Sequence, residues 1–280
     1  MKYLLIILSS FIFVYCGTTT IYKDKKVNLT VIESFELFNE GVRMNTENNL
    51  MQAIFFFTEA IKLNPLFQDS YFMRGKVYYI LEKYPEALND FYTVISFGSK
   101  NSNNYISSYF LMGNIYIKLH EYEKSIECYN NILILAPYSS DIYHERGIAC
   151  LYLGRMTDAI TDVTLAINID SSKYTYFDTR GAIFFLMNMY ERAFNDLINS
   201  LRLNQNNALA YANCGELLLR MEQYELSLEF FNTAIAQDPY LKTSYVGRAR
   251  LYIIIAELTD DNNKKNEYIE KARDDYFNSF

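Results

Sequence analysis

The stretch "RGIACLYLGRMTDAITD", residues 146–162, decides the fold, because the chain repeats it. "RGKVYYILEKYPEALND" occupies 74–90 and "RGAIFFLMNMYERAFND" occupies 180–196. Each opens on Arg-Gly, closes on Asp, and spaces its apolar residues as two short helices do. Outward from it, glycines stand at Gly41, Gly75, Gly113, Gly147, Gly181 and Gly215, in steps of 34, 38, 34, 34 and 34 residues, and Ala249 lies one period further. Before each, in register, comes a large apolar residue: Leu37, Tyr71, Tyr109, Tyr143, Phe177, Tyr211 and Tyr245. After each comes a small one (Ala53, Ala87, Ser125, Ala159, Ala193, Ser227) and then a bulky one (Phe57, Phe91, Tyr129, Val163, Leu197, Phe231). Small residues at fixed places let two helices approach closely. Pro85 suits the first position of a second helix after a short turn.

A unit of 34 residues carrying a large residue, Gly, Tyr, Ala, Phe, Ala and Pro in that order resembles the tetratricopeptide repeat. The expected units start near Ser34, Gln68, Ile106, Ser140, Tyr174, Ala208 and Lys242, so that residues 34–280 form a seven-repeat array. The resemblance implies an all-α fold, a right-handed superhelical α-solenoid of about seven helix–turn–helix repeats. It also implies a concave groove, lined by the first helices, that holds an extended or helical peptide. Extra residues in "GSKNSNNY" explain the step of 38. In the seventh unit the small–bulky–small marks fall late, at Ala272, Tyr276 and Ser279, so either the turn is long or both helices extend.

Arg74, Arg146, Arg180 and Arg248 stand just before the glycine position, and Asp90, Asp162, Asp196 and Asp275 just before the bulky mark of the same units. The other units carry Glu40 with Phe56, Met112 with Cys128, and Cys214 with Phe230. Arg and Asp therefore appear and vanish together. A lone half-buried charge costs several kcal/mol, so the expectation is a structural ion pair between the two helices of a unit. A catalytic pair would not be copied along an array.

Carried over by position, the resemblance places Phe72, Lys76, Tyr79, Phe110, Asn114, His144, Asp178 and Glu216 in the binding groove, with His144 most simply solvated. Lys76 and Asn114 occupy neighbouring equivalent positions, but the rest of the clamp that holds chaperone C-termini in some relatives is missing. The chain shows no nucleophile elbow, phosphate loop or paired-carboxylate motif, so neither an enzyme nor a cofactor is expected. With two His and no acid spacing around them, no metal site is expected either. Cys128, Cys150 and Cys214 read as small buried hydrophobes. The segment near 259–269 has Tyr268 as its sole aromatic, which disfavours a catalytic or carbohydrate site there.

At the N-terminus, "MKYLLIILSSFIFVYCG" has a lysine followed by an apolar run from Leu4 to Tyr15. That run is short for a bilayer core of roughly 30 Å but suits a secretory signal, here residues 1–15. Cys16 at its end resembles the lipidated cysteine of bacterial lipoproteins, although Tyr15 stands where that family prefers a small residue. Residues 16–33 would then be a lipidated cysteine and tether. A formal charge of −7 without a basic run argues against a nucleic-acid partner. The expectation is an exported, non-catalytic scaffold or adaptor at the bacterial cell envelope, lipid-anchored to the outer membrane or periplasmic face and binding a protein or peptide. The alternative is a self-associating structural envelope protein, forming a homodimer through terminal helices that carry Phe277 and Phe280.

Overall fold

The structure is a computed structural model that describes residues 18–98, 100 and 102–279. The expected signal segment, Cys16 and Phe280 lie outside the described residues. Fourteen helices and no strand occur among those described. They run as hairpins, α1 (Thr18–Thr46) with α2 (Leu50–Leu63) and α3 (Gln68–Ile80) with α4 (Tyr84–Ser96), followed by α5 (Asn103–Lys118) and α6 (Tyr122–Leu135), which a turn at His120 joins. Next come α7 (Ser140–Tyr152) with α8 (Met156–Ile169), and α9 (Tyr174–Leu186) with α10 (Tyr190–Leu203). The last are α11 (Ala208–Arg220) with α12 (Tyr224–Gln237), and α13 (Lys242–Leu258) with α14 (Asn262–Asn278). The chain divides into two compact units, Met1–Ile115 and Tyr116–Phe280, the boundary falling inside α5.

The turn inside a hairpin is built the same way six times. Asn48, Glu82, His120, Gly154, Asn188 and Glu222 sit at positive φ, between 57° and 74°. The next amide in each case reaches back to close the helix, as Lys83 N–H does to the Tyr78 carbonyl at 2.9 Å and Gln223 N–H to Leu218 at 2.9 Å. This is the left-handed C-terminal cap that satisfies otherwise orphaned carbonyls. The last hairpin lacks it among the described residues. Instead α13 and α14 both run to 17 residues, which resolves the late marks of the seventh unit. Asp261 then starts α14 by accepting the Asn263 and Lys264 amides at 2.8 and 3.3 Å.

The periodic glycines mark where the two helices touch. A Cβ on Gly75 would meet the Phe91 ring at 2.8 Å, and one on Gly147 would meet Val163 at 2.8 Å. Opposite them Ala53, Ala87, Ala159 and Ala193 have no exposed surface, so the small and bulky marks together form the core of each hairpin. In the N-terminal unit this core is Met44, Ala53, Phe57 and Val77. In the C-terminal unit it includes Val163, Tyr176 and Ile183, and, further on, Leu197, Cys214 and Leu217. The α1 helix runs for 29 residues, so the segment expected to serve as a tether is helical from Thr18 and continuous with the first hairpin.

Candidate functional site

All four Arg–Asp pairs form, and each is two-pronged. Arg74 donates Nε and Nη2 to Asp90 at 2.9 and 2.7 Å, and Arg146 donates to Asp162 at 2.7 and 2.7 Å. Arg180 reaches Asp196 at 2.7 and 2.8 Å, and Arg248 reaches Asp275 at 2.8 and 2.6 Å. The four carboxylates are buried. The geometry shows a third contact that the pairing alone does not reveal. Nη1 of each arginine donates to the preceding hairpin: to Thr58 at 3.0 Å, Asn130 at 2.6 Å, Thr164 at 3.2 Å and Asn232 at 2.5 Å. The arginine therefore bonds its own hairpin and the one before it. Burial raises the Asp90 carboxyl against the pull of Arg74, whereas in Arg146 and Arg248 the aspartate hydrogen bond holds the guanidinium charged.

The residues expected to line a groove lie on the first helices of both units. In the N-terminal unit Phe72, Lys76 and Tyr79 are half-buried on α3, with the Lys76 ammonium 5.6 Å from the centre of the Phe72 ring. Phe110 and Asn114 are half-buried on α5. Asn104 ties α5 to Asp69 of α3 at 2.6 Å. In the C-terminal unit the first helices are joined by a polar ladder. Asp141 of α7 accepts from Lys173 and from the Tyr176 hydroxyl of α9. Asp178 accepts from Asn207 at 3.0 Å, and Glu216 of α11 accepts from Arg250 of α13 at 3.1 Å. These positions largely fasten neighbouring hairpins to one another.

Residues 106–139 match the family described as tetratricopeptide repeat. The structure is also similar to the C-terminal part of a TPR repeat-containing protein from Cytophaga hutchinsonii, with a TM-score of 0.69 and 19% identity, covering 85% of this chain and 98% of that one. The chain has the tetratricopeptide-repeat fold. It is similar as well to YrrB, "a TPR protein with an unusual peptide-binding site", with a TM-score of 0.54 and 18% identity over 67% of this chain and 95% of that one. Among curated proteins it is 26% identical over 205 residues to the human tetratricopeptide repeat protein 6, covering 72% of this chain and 38% of that protein. The chain thus spans well under half the length of that relative.

Within this tetratricopeptide array His144 departs from the expectation of a solvated groove residue. It is 8% exposed, stacked at 4.7 Å on Tyr176 and bonded to Thr179 at 2.8 Å, because the next first helix covers it. Burial pushes its pKa down to about 4, and Asp141, Glu145 and Lys173 are the charged groups around it. Asp178 is likewise no open contact. Burial raises its carboxyl against the opposing pull of Ser200 and Asn207. The three described cysteines are free and buried, and burial lifts the Cys128 and Cys214 thiols to about 12, so neither is a thiolate at neutral pH. The same variable first-helix positions also place exposed apolar groups on α13. Val246 and Ile253 are exposed on either side of Arg250, three and four residues apart, and Leu209 is exposed on the neighbouring α11.

Proposed function

We propose that the chain is a non-catalytic interaction scaffold that holds a peptide segment of a protein partner against its first helices. The observation that carries this reading is the Val246–Arg250–Ile253 row. It offers two exposed apolar side chains flanking a guanidinium that is 48% exposed and held toward Glu216. Such a row suits a peptide with apolar residues beside a carboxylate. The fold shared with YrrB supports the same use, since a peptide-binding site is recorded for that protein. The test is crosslinked capture with the wild-type chain, with Val246→Asp/Arg250→Glu, and with Phe72→Ala/Lys76→Ala as a comparison in the N-terminal unit. A partner segment retained by the wild type and lost with the α13 variant supports the reading. Equal retention by the wild type and both variants overturns it.

The location belongs to the same proposal. Residues 1–15 act as an export signal, Cys16 takes the lipid, and the array stands at the cell envelope. The apolar run and the placement of Cys16 at its end support this. No described helix is long and apolar enough to cross a membrane. Intact-mass measurement of the wild type and of Cys16→Ser decides it. A mature N-terminus at Cys16 that carries acyl chains, absent from the variant, is expected. An unprocessed Met1 in both overturns it.

A further inference from the structure

The first hairpin carries an open stacking face. At the position of Glu36 the six later hairpins have Ser70, Ser108, Ile142, Tyr176, Ala210 and Ser244, and each is buried. Glu36 itself is exposed, and beside it a cleft of about 380 Å³ is lined by Glu33, Leu37, Glu40, Phe56 and Leu63. Among the described residues nothing fills it.

A junction inside the C-terminal unit shows what such a face receives. There Tyr190, Phe194 and Ile198 of α10 pack against the same core cluster as Tyr211 and Phe230 of the next hairpin, with the Phe194 and Phe230 rings 6.0 Å apart. Tyr211 and Phe230 are themselves 5.8 Å apart, and Cys214 completes the receiving set. In register, Leu37, Glu40 and Phe56 stand where Tyr211, Cys214 and Phe230 stand. Likewise Ile269, Arg273 and Phe277 of α14 stand where Tyr190, Phe194 and Ile198 stand. Ile269 and Phe277 are exposed, Phe277 at 67%.

The two ends differ from every internal junction in one way, and they differ oppositely. The middle of the donating row is Ile54, Leu88, Ile126, Ile160, Phe194 or Leu228 in the other second helices, and Arg273 in α14 alone. The residue before the glycine position is Arg, Met or Cys in the later hairpins, and acidic, as Glu40, in the first alone. Among the described residues, a basic group therefore sits in the row where the other second helices are apolar, and an acid sits in the face where the later hairpins carry none.

We propose that the chain associates head to tail with a second copy of itself, α14 of one copy seating in the α1–α2 cleft of the next. By the register, Arg273 then takes the place of Phe194, over Phe56 and beside Glu40, and Phe277 takes the place of Ile198. In the single chain Arg273 is paired with Glu270 and Glu40 with Arg43, both along one exposed helix, where such pairs contribute little. Seating replaces them with a desolvated pair between copies, while Glu33 and Glu36 keep the cleft net acidic toward the basic row. Because donor and receiver are different surfaces, the contact is heterologous and leaves a free donor and a free receiver on every pair, so association continues into larger rings or chains. Neither surface overlaps the α13 row used for peptide binding.

Sedimentation velocity of the full chain over a concentration series tests this. The sedimentation coefficient is expected to rise with concentration without levelling at the dimer. Glu40→Arg and Arg273→Glu should each weaken association about tenfold or more, and mixing the two variants should restore it, since every junction in the mixture again joins opposite charges. Phe277→Ser, at a side chain exposed in the single chain, should weaken it comparably with the helical spectrum unchanged. A monomer at every concentration, a plateau at the dimer, or association indifferent to the charge reversals overturns the proposal.

Discussion

Each arginine of the Arg–Asp pairs satisfies three acceptors at once, two on its own aspartate and one on the hairpin before it. Where the pair is replaced by Cys214 and Phe230, the third position is Ile198 in place of Thr or Asn, so the polar set and the apolar set are each complete. Asp162→Phe alone should therefore destabilise the C-terminal unit by about 2–4 kcal/mol in urea unfolding, because it strands a largely covered guanidinium. Adding Arg146→Cys and Asn130→Ile, which copies the apolar set, should recover most of that loss. His144 makes a prediction with the opposite chemistry. Its folded pKa, about 4, lies below the ordinary 6.5, so its contribution is complete above pH 6.5 and is lost as the pH falls toward 4. Thermal unfolding across that window should show about 3 kcal/mol more pH dependence for the wild type than for His144→Gln. Asp141, whose carboxyl is held low by Lys173, loses stability in the same direction, so the difference between the two proteins isolates the imidazole. The sequence showed the pairs because two positions covary within a chain. It did not show the cover over His144, because Tyr176 and Thr179 come from the next hairpin and the period says nothing of how closely first helices approach.

At the scale of helices and turns, the period was legible because it is a packing requirement. A glycine against Phe91 or Val163 cannot drift without one helix moving off the other. Gly147→Ala should cost about 1–2 kcal/mol in denaturant unfolding despite the better helix propensity of Ala, since the added methyl meets Val163. The turns are less well matched. Glu82 and Glu222 sit at φ values of 57° and 58°, where a residue with a Cβ is strained, while the equivalent Gly154 is not. Glu222→Gly should raise stability by about 0.5–1 kcal/mol, read from the unfolding midpoint. That conformation was not legible, because Asn, Glu, His and Gly share the position and no single residue type marks it. The seventh hairpin was legible only as a displacement. Its marks fell late, and coordinates were required to show that the helices lengthen and that Asp261 opens the second.

At the scale of the whole chain, the fold followed from repetition, whereas the working surface did not, since the first-helix positions vary and many are spent joining hairpins. A repeat array has its stability divided among units and the junctions between neighbours. A chain ending after Asn204 retains the triads of Arg74, Arg146 and Arg180 complete. It should remain helical, with a urea m-value reduced in proportion to the surface removed. Deleting residues before Gln68 instead takes Thr58 from Arg74 and should cost the second hairpin more than its share of length. The third arm of each guanidinium thus gives the array a direction that matches translation. The third-arm acceptor of every arginine lies 16 residues before it and so leaves the ribosome first, and each new hairpin meets a docking surface already made. Released chains ending after Asn204 should resist protease through the Arg180 hairpin, with α11 absent.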